Sequence, residues 1–230
     1  MNKKISLFLF TFLFLFLLSS FAQDTYSYGF NFDVKGYDVI PITHACPTVD
    51  PMDEECVAVG TIYPNALATD KKNGIHFIRF NKHGNLLASV YFNHTNADER
   101  AIKIIHLNNT CDFLIVSLVR EYTILTQDVI KITRVDINGN FISEYTIQAT
   151  MTYTNLKHLY PMDAKLINDN LYIVGSISAG AYNSNPLQSN GLNFSNQNLA
   201  FVCKFDINNP TINDIKYFGN AFTPLNLNGT

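Results

Sequence analysis

The chain has 230 residues, and once a leader of 22 is set aside the rest suffices for one large all-β domain or two small ones, which excludes a large multidomain enzyme. Without Lys3 and Lys4 of that leader, 14 basic residues stand against 19 acidic ones, a net charge of −5. We expect no nucleic-acid partner, because a phosphate-binding surface needs a clustered excess of Lys and Arg.

Residues 1–22 have the layout of a cleaved signal peptide. Lys3 and Lys4 supply a positive start, residues 7–18 are apolar except for one threonine, and small residues precede a cleavage site after Ala22. The apolar run is well short of the roughly 20 residues needed to cross a bilayer. We expect export to the periplasm, the cell surface or the medium, with no membrane span after cleavage.

Residues 23–55 are predicted to be an N-terminal strand segment with a cysteine-flanked loop. Cys46 and Cys56 enclose an acidic, proline-containing loop, and an oxidising compartment favours a disulfide across so short a loop. We expect a Cys46–Cys56 disulfide, although four cysteines permit three pairings and free thiols are the alternative. Cys111 and Cys203 adjoin apolar strand residues and are as consistent with buried thiols as with a second bridge.

The rest of the chain predicts strands and turns. Its apolar runs are short, rich in β-branched and aromatic residues, and separated by Asn, Gly, Asp and Pro. No stretch of twelve or more residues carries the apolar periodicity of a helix. The predicted strands cover residues 56–59, 75–80, 86–92, 113–119, 129–135, 141–147, 171–174 and 200–205.

Three copies of a repeat align within residues 56–230. A small residue recurs on a strand at Gly60, Ser117 and Gly175, with offsets of 57 and 58 residues. Each copy offers about four strands, which is the pattern of a β-propeller blade. We therefore expect these three residues at equivalent positions in three successive antiparallel sheets. The copies span about residues 56–104, 105–161 and 162–230.

A second motif follows in each copy and ends in a turn of Asn or Asp. It combines two apolar columns with a basic one. We expect the second apolar column to face packed interfaces between the sheets. The columns are Phe77, Ile132 and Val202, then Arg79, Arg134 and Lys204, then Phe80, Val135 and Phe205.

The consensus of residues 172–176, a polar loop, residues 200–208 and an aromatic strand resembles the repeats of secreted bacterial β-propeller proteins, especially those common in Bacteroidetes. The resemblance covers about residues 56–218 and implies a propeller fold without implying an activity. Only three repeats are recognisable, where closed propellers use 4 to 8 blades, and we expect no copy of the C-terminal sorting domain that many exported relatives carry. We expect an open array in an incomplete or truncated copy; a β-sandwich is the alternative.

The sequence contains no catalytic signature. It lacks a nucleophile elbow, a phosphate-binding loop and a dinucleotide fingerprint, and its histidines are scattered. Residues 136–140, Asp-Ile-Asn-Gly-Asn, have the oxygen-rich look of a calcium loop, but an Asn-Gly hairpin turn explains them better because similar residues recur in all copies. We expect no metal and no cofactor.

Two function classes remain. The first is a non-catalytic module that binds an extracellular protein or glycan through its loops, with Tyr182 and Phe194 in the longest loop as candidate binding residues. The alternative is a secreted, glycosidase-like hydrolase whose site is assembled from several blades. Its candidate carboxylates are the pairs Glu54-Glu55 and Asp98-Glu99. The absence of catalytic motifs favours the binding module.

Overall fold

The computed structural model describes residues 33–42, 46, 54–63, 73–92, 97–107, 110–121, 128–149, 158–178, 198–210 and 213–218. All of these belong to one compact unit, Asn31–Thr230. The signal peptide expected at residues 1–22 lies outside the described residues, as do Tyr182 and Phe194.

Within the described ranges, every element of regular structure is a β-strand, as the short apolar runs predict. The twelve strands are β1 (Asp33–Pro41), β2 (Glu55–Tyr63), β3 (Gly74–Asn81), β4 (Leu86–Phe92), β5 (Ala97–His106), β6 (Phe113–Glu121), β7 (Asp128–Val135), β8 (Phe141–Ile147), β9 (His158–Ile167), β10 (Asn170–Ser178), β11 (Asn198–Asp206) and β12 (Asn213–Phe218).

Consecutive strands pair antiparallel to form three four-stranded sheets. The first sheet contains β1 to β4, the second β5 to β8 and the third β9 to β12. This confirms the predicted all-β array of about three four-stranded repeats. The described sheets do not close on one another, and their arrangement is compatible with an open propeller or a β-sandwich.

The sheets begin earlier in the chain than the repeat boundaries drawn from the sequence. Strand β1 supplies the first strand of the first sheet, and the boundaries at 104/105 and 161/162 fall inside β5 and β9. These first strands are hard to recognise because charged residues interrupt them: β5 reads Ala-Asp-Glu-Arg-Ala-Ile-Lys-Ile-Ile-His. Each sheet therefore has its four strands without help from a neighbouring repeat.

The small-residue column occupies equivalent places in the three sheets, on the second strand of each. The first strand pairs with this residue and then carries one extra residue, a β-bulge, immediately afterwards. A bulge sharpens the local twist of a strand pair, so the three sheets share the same twist device. The pairs are Gly36 with Gly60, Ala101 with Ser117 and Pro161 with Gly175; the extra residues are Tyr37, Ile102 and Met162.

Two hydrophobic cores hold the sheets together, and the second sheet contributes to both. On β6, Phe113 and Ile115 lie in the core shared with the first sheet, whereas Leu114 and Val116 lie in the core shared with the third. Successive side chains of a strand point to opposite faces, so a strand buried on both faces needs the unbroken apolar run that β6 has. We call the core between the first and second sheets the first core, and the core between the second and third sheets the second core.

The second apolar column fulfils its prediction in two sheets. Val135 is buried in the first core and Phe205 in the second. Phe80 is half-buried and belongs to neither core. Since Phe77 lies in the first core, strand alternation places Phe80 on the face of the first sheet that points away from the second sheet.

Candidate functional site

In each sheet the connection between the second and third strands lies at the same end, whereas the 13-residue connection 42–54 between β1 and β2 lies at the opposite end. Residues 64–72, 122–127 and 179–197 each join the second strand of a sheet to its third strand. Hydrogen bonds between the sheets keep these ends together. The backbone N–H of Asn73, just before β3 of the first sheet, donates to the Asp98 side chain in the second, and the backbone N–H of Asp128 in the second sheet donates to the His158 ring in the third. We call this the loop end and the opposite one the turn end.

A buried polar cluster lies beside the first core at the loop end. The Ser117 hydroxyl donates to Glu99 Oε1 over 2.6 Å, and Lys131 Nζ lies 2.6 Å from Glu99 Oε2. The three residues are between 0% and 5% exposed. In the small-residue column Ser117 has a side chain, whereas the other two members are glycines. Its hydroxyl donates to the Glu99 carboxylate, and a buried carboxylate without hydrogen bonds would cost much folding free energy.

A second buried polar cluster lies on the opposite face of the same sheet. Asp128 is 1% exposed and accepts two hydrogen bonds from the Arg120 guanidinium, at 2.7 and 3.2 Å. From the third sheet, the Tyr160 hydroxyl donates to Asp128 over 3.1 Å, and His158 Nδ1 lies 3.2 Å from the same carboxylate. The cluster connects the second sheet to the third beneath the loop end.

The two clusters do not form a catalytic pair of carboxylates. Glycosidases place two carboxyl groups on either side of one bond, about 5 to 9.5 Å apart. Glu99 belongs to the interface with the first sheet and Asp128 to the interface with the third, and each is held by a cation. Both ion pairs join strands within the second sheet, and Asp128 also accepts a hydrogen bond from Tyr160 of the third sheet, which suits a structural role.

The acidic pairs expected from the sequence are separated in the same way. Glu54 is exposed, whereas Glu55 is buried and lies 2.6 Å from Arg79 Nε. Asp98 accepts a hydrogen bond from the Asn73 backbone, whereas Glu99 binds Lys131. Glu54 precedes β2 and is exposed while Glu55 is buried, and Asp98 and Glu99 are adjacent on β5 and so point to opposite faces. Neither pair brings two carboxylates to one site.

An ion pair recurs at the turn end of two sheets. Arg79 binds Glu55 in the first sheet, and Arg134 binds Asp112 at the matching place in the second. In the third sheet these places hold Lys204, which is exposed, and Asn170. The basic residue of the repeat therefore forms an ion pair in the first two sheets, whereas in the third sheet Lys204 is exposed to solvent.

Residues 136–140 form the hairpin turn that the sequence predicts. Asp136 Oδ1 accepts the backbone N–H groups of Asn138 and Asn140, both over 2.8 Å, and Gly139 has a φ of 80°. Burial would raise the pKa of Asp136, but hydrogen bonds from the turn outweigh burial and lower that pKa. The carboxylate serves the turn itself, as the Asn81 side chain does at the matching turn of the first sheet.

A cavity of about 310 Å³ opens at the turn end between the second and third sheets. Its polar groups include the guanidinium of Arg134, which Asp112 already neutralises. No group of three or more potential metal ligands occurs within the part of the chain that the structure describes. The cavity is lined by Leu107, Thr110, Arg134, Leu166, Asn168, Asp169, Ile207 and Asn208.

All four cysteines carry free thiols in the structure. Cys46 and Cys203 are buried, and Cys56 and Cys111 are half-buried. The expected Cys46–Cys56 disulfide therefore stays a prediction. Tyr182 and Phe194 belong to the connection 179–197 at the loop end, outside the described residues.

Sequence reasoning missed both buried polar clusters. One signal was available: Lys131 interrupts the apolar run of β7, Asp-Val-Ile-Lys-Ile-Thr-Arg-Val, and a charge in the middle of such a run needs a buried partner. The sequence shows its partner Glu99 only as half of the acidic pair Asp98-Glu99. The distance in sequence between Lys131 and Glu99 hides the contact, which only the pairing of β5, β6 and β7 creates.

The chain matches no model of a known protein family, and no curated protein matches it either. Among the residues that the structure describes, no helix has the length and apolar character that crossing a membrane would require.

Proposed function

We propose that this chain is an exported, non-catalytic β-repeat module, akin to the secreted bacterial propeller proteins, and that it binds an extracellular protein or glycan through the connections at its loop end. The observation that carries the proposal is that the connections between the second and third strands of all three sheets lie at one end, among them residues 179–197, the longest connection between two strands. The three sheets share two buried cores. Variable loops on a rigid scaffold are where recognition is usually placed.

The buried polar clusters support a scaffold in place of a catalytic centre. Catalytic groups must reach a substrate, whereas Ser117 is fully buried and Glu99 and Asp128 are each 1% exposed. Ser117 and Glu99 bond to each other and to Lys131 within the second sheet, and Asp128 bonds Arg120 of its own sheet and Tyr160 of the third. The two polar clusters stabilise the sheets from which the connections at the loop end extend.

Binding is tested with the purified protein and a panel of soluble polysaccharides, by isothermal titration calorimetry. Tyr182→Ala and Phe194→Ala remove aromatic rings from the longest connection, and each is expected to weaken binding about tenfold or more. The matched control is Phe141→Ala, which removes a ring that is 57% exposed at the turn end. This control should bind as the unchanged protein does.

The same panel decides between binding and hydrolysis. Product analysis after long incubation should show each polysaccharide intact. Turnover that disappears in Asp128→Asn or Glu99→Gln, with the circular dichroism spectrum unchanged, would establish the hydrolase instead. Equal loss of binding in Phe141→Ala and Tyr182→Ala would place recognition away from the loop end.

Export is tested separately, by intact-mass measurement of protein recovered outside the cytoplasm. The expected mass lacks residues 1–22, because cleavage is predicted after Ala22. Protein that keeps the leader in a membrane fraction would refute the export half of the proposal and leave the binding half to be judged on its own measurements.

A further inference from the structure

Two thiols lie at the turn end of the first core. Cys46 is 1% exposed, and its Sγ atom lies 3.5 Å from Nε2 of His106, the last residue of β5, just before the segment that carries Cys111. Burial raises the pKa of Cys46, and its interaction with the Cys111 side chain adds to that rise. Cys111 is half-buried and packs against the same core. Cys46 belongs to the segment between β1 and β2, and Cys111 to the segment between β5 and β6. A bond between the two thiols would therefore join the first sheet to the second.

We propose that Cys46 and Cys111 are the residues that form a disulfide when the protein meets a small disulfide such as oxidised glutathione, and that this bond ties the first sheet to the second. The proposal concerns the thiols alone and does not rest on the binding function. It gives Cys46 a partner from a different sheet in place of Cys56, its neighbour in the sequence.

The orientation of β2 disfavours Cys56 as the partner. Val57 and Val59 of this strand lie in the first core, as Cys46 does. Alternation along the strand turns Cys56 to the opposite face of the first sheet, the face that also carries its register partner Phe80. Cys203 is buried in the second core, whereas Cys46 and Cys111 lie at the first core.

The surroundings of Cys46 set the order of the chemical steps. His106 Nε2 lies 3.5 Å from Cys46 Sγ. Burial raises the pKa of Cys46 to about 12, so at neutral pH this thiol keeps its proton and is the poorer nucleophile. Cys111 is the more exposed of the two thiols and reacts first.

Two exchange steps complete the bond. The Cys111 thiolate attacks one sulfur of glutathione disulfide, which breaks the glutathione S–S bond and releases one glutathione thiolate. Cys46 then loses its proton to solvent and, as the thiolate, attacks the Cys111 sulfur, which releases the second glutathione as a thiolate. The two cysteines lose two protons and two electrons in total, and the electrons reduce glutathione disulfide to two thiols.

The experiment equilibrates the purified, reduced protein with oxidised glutathione and then counts the remaining thiols under denaturing conditions. Peptides are mapped without reduction after digestion with a glutamate-specific protease, which cuts after Glu54 and Glu55 and so separates Cys46 from Cys56. We expect two thiols to disappear and a linked peptide to join Cys46 to Cys111.

Matched variants identify the partner. Cys56→Ser should lose two thiols as the unchanged protein does, whereas Cys111→Ser should keep its remaining thiols. Oxidation should raise the unfolding midpoint of the unchanged protein and of Cys56→Ser, but not that of Cys111→Ser. If Cys111→Ser does not fold, Cys111→Ala is used in its place, because alanine preserves an apolar contact with the first core.

Three results would overturn the proposal. They are a linked peptide that joins Cys46 to Cys56, oxidation that persists in Cys111→Ser but stops in Cys56→Ser, and four free thiols in the folded protein after equilibration with excess oxidised glutathione.

Discussion

The ring of Phe201 on β11 fills the space over Gly175, its register partner on β10. A Cβ atom at residue 175 would lie 2.8 Å from that ring and would overlap the carbonyl oxygen of Tyr160 on β9. The carbonyl belongs to the backbone, so the neighbouring strand would have to move to admit even a methyl group. The small-residue column is thus a packing requirement in the third sheet.

Gly175→Ala should therefore lower the free energy of unfolding by about 1 to 3 kcal/mol, the usual cost of overpacking. Gly36→Ala is the matched control, because nothing lies within 4 Å of the Cβ position at residue 36. Its effect should stay within about 0.5 kcal/mol of zero. Urea denaturation of both variants measures the difference, and equal effects would show that the close approach at Gly175 relaxes without cost.

The buried pair of Lys131 and Glu99 gives a second prediction. Lys131→Met leaves the Glu99 carboxylate buried without its cation and should cost about 3 to 5 kcal/mol. The double variant with Glu99→Leu removes both charges, so it should recover much of that loss. Lys216→Met is the control, because Lys216 is 68% exposed beside Asp214 and exposed pairs contribute only about 0 to 1 kcal/mol.

Thermal and urea unfolding of the single and double variants form a double-mutant cycle for this pair. A strong coupling between Lys131 and Glu99 supports the buried ion pair. Purely additive costs in the two single variants would contradict it, since independent residues do not share a buried interaction.

The sequence predicted what depends on local pattern. Short β-branched runs gave the strands, and the recurrent small residue located the second strand of each sheet. The turn at residues 136–140 was also predicted, because Asn-Gly favours the positive φ found at Gly139. Each of these features is determined by residues close together in the chain.

What the sequence could not show depends on contacts between distant residues. Strand β1 was not assigned to the first sheet, since its polar residues give no clear alternation before the pairing with β2 is known. The approach of Cys46 to the segment that carries Cys111, and the hydrogen bond from Tyr160 to Asp128, arise only when whole sheets are stacked. The Lys131–Glu99 pair arises only when β5, β6 and β7 pair. Sequence spacing instead favoured Cys56, because a short loop is the one constraint visible without the fold.

The turn carboxylate gives a third prediction. Asp136→Ala removes the acceptor of the Asn138 and Asn140 backbone N–H groups, and should cost about 1 kcal/mol because water replaces part of each bond at this exposed turn. Asp136→Asn should retain most of the stability, since an asparagine performs this task at residue 81 of the first sheet. Denaturation at pH 7 compares the two variants.

The same carboxylate has a defined pH dependence. The pKa of Asp136 is lowered in the folded protein, so its contribution to stability is present above the unfolded pKa of about 3.9 and is lost as the pH falls through the lower folded value. Asp136→Asn should remove this part of the acid destabilisation. An unchanged acid profile in Asp136→Asn would show that the turn does not favour the charged carboxylate.

The buried histidines give the last prediction, which concerns a higher pH range. Burial lowers the pKa of His76, which is 2% exposed with its Nε2 atom 2.8 Å from the Ser89 hydroxyl, and burial likewise lowers the pKa of His106. Below the unfolded pKa of about 6.5, the unfolded chain binds protons that the folded chain resists. Stability should therefore fall as the pH decreases from 7.5 to 5, by at most about 1.4 kcal/mol per pH unit for each histidine.

Unfolding midpoints at pH 7.5 and pH 5 test this with three variants. His76→Gln retains a side-chain group that can hydrogen-bond Ser89 but does not titrate, so it should lose less stability on acidification than the unchanged protein. His106→Gln should do the same for the other site. The control is the exposed residue His83: His83→Gln should lose as much stability between pH 7.5 and pH 5 as the unchanged protein does. If His76→Gln and His106→Gln both keep the full loss between pH 7.5 and pH 5, groups other than these histidines control stability in that range.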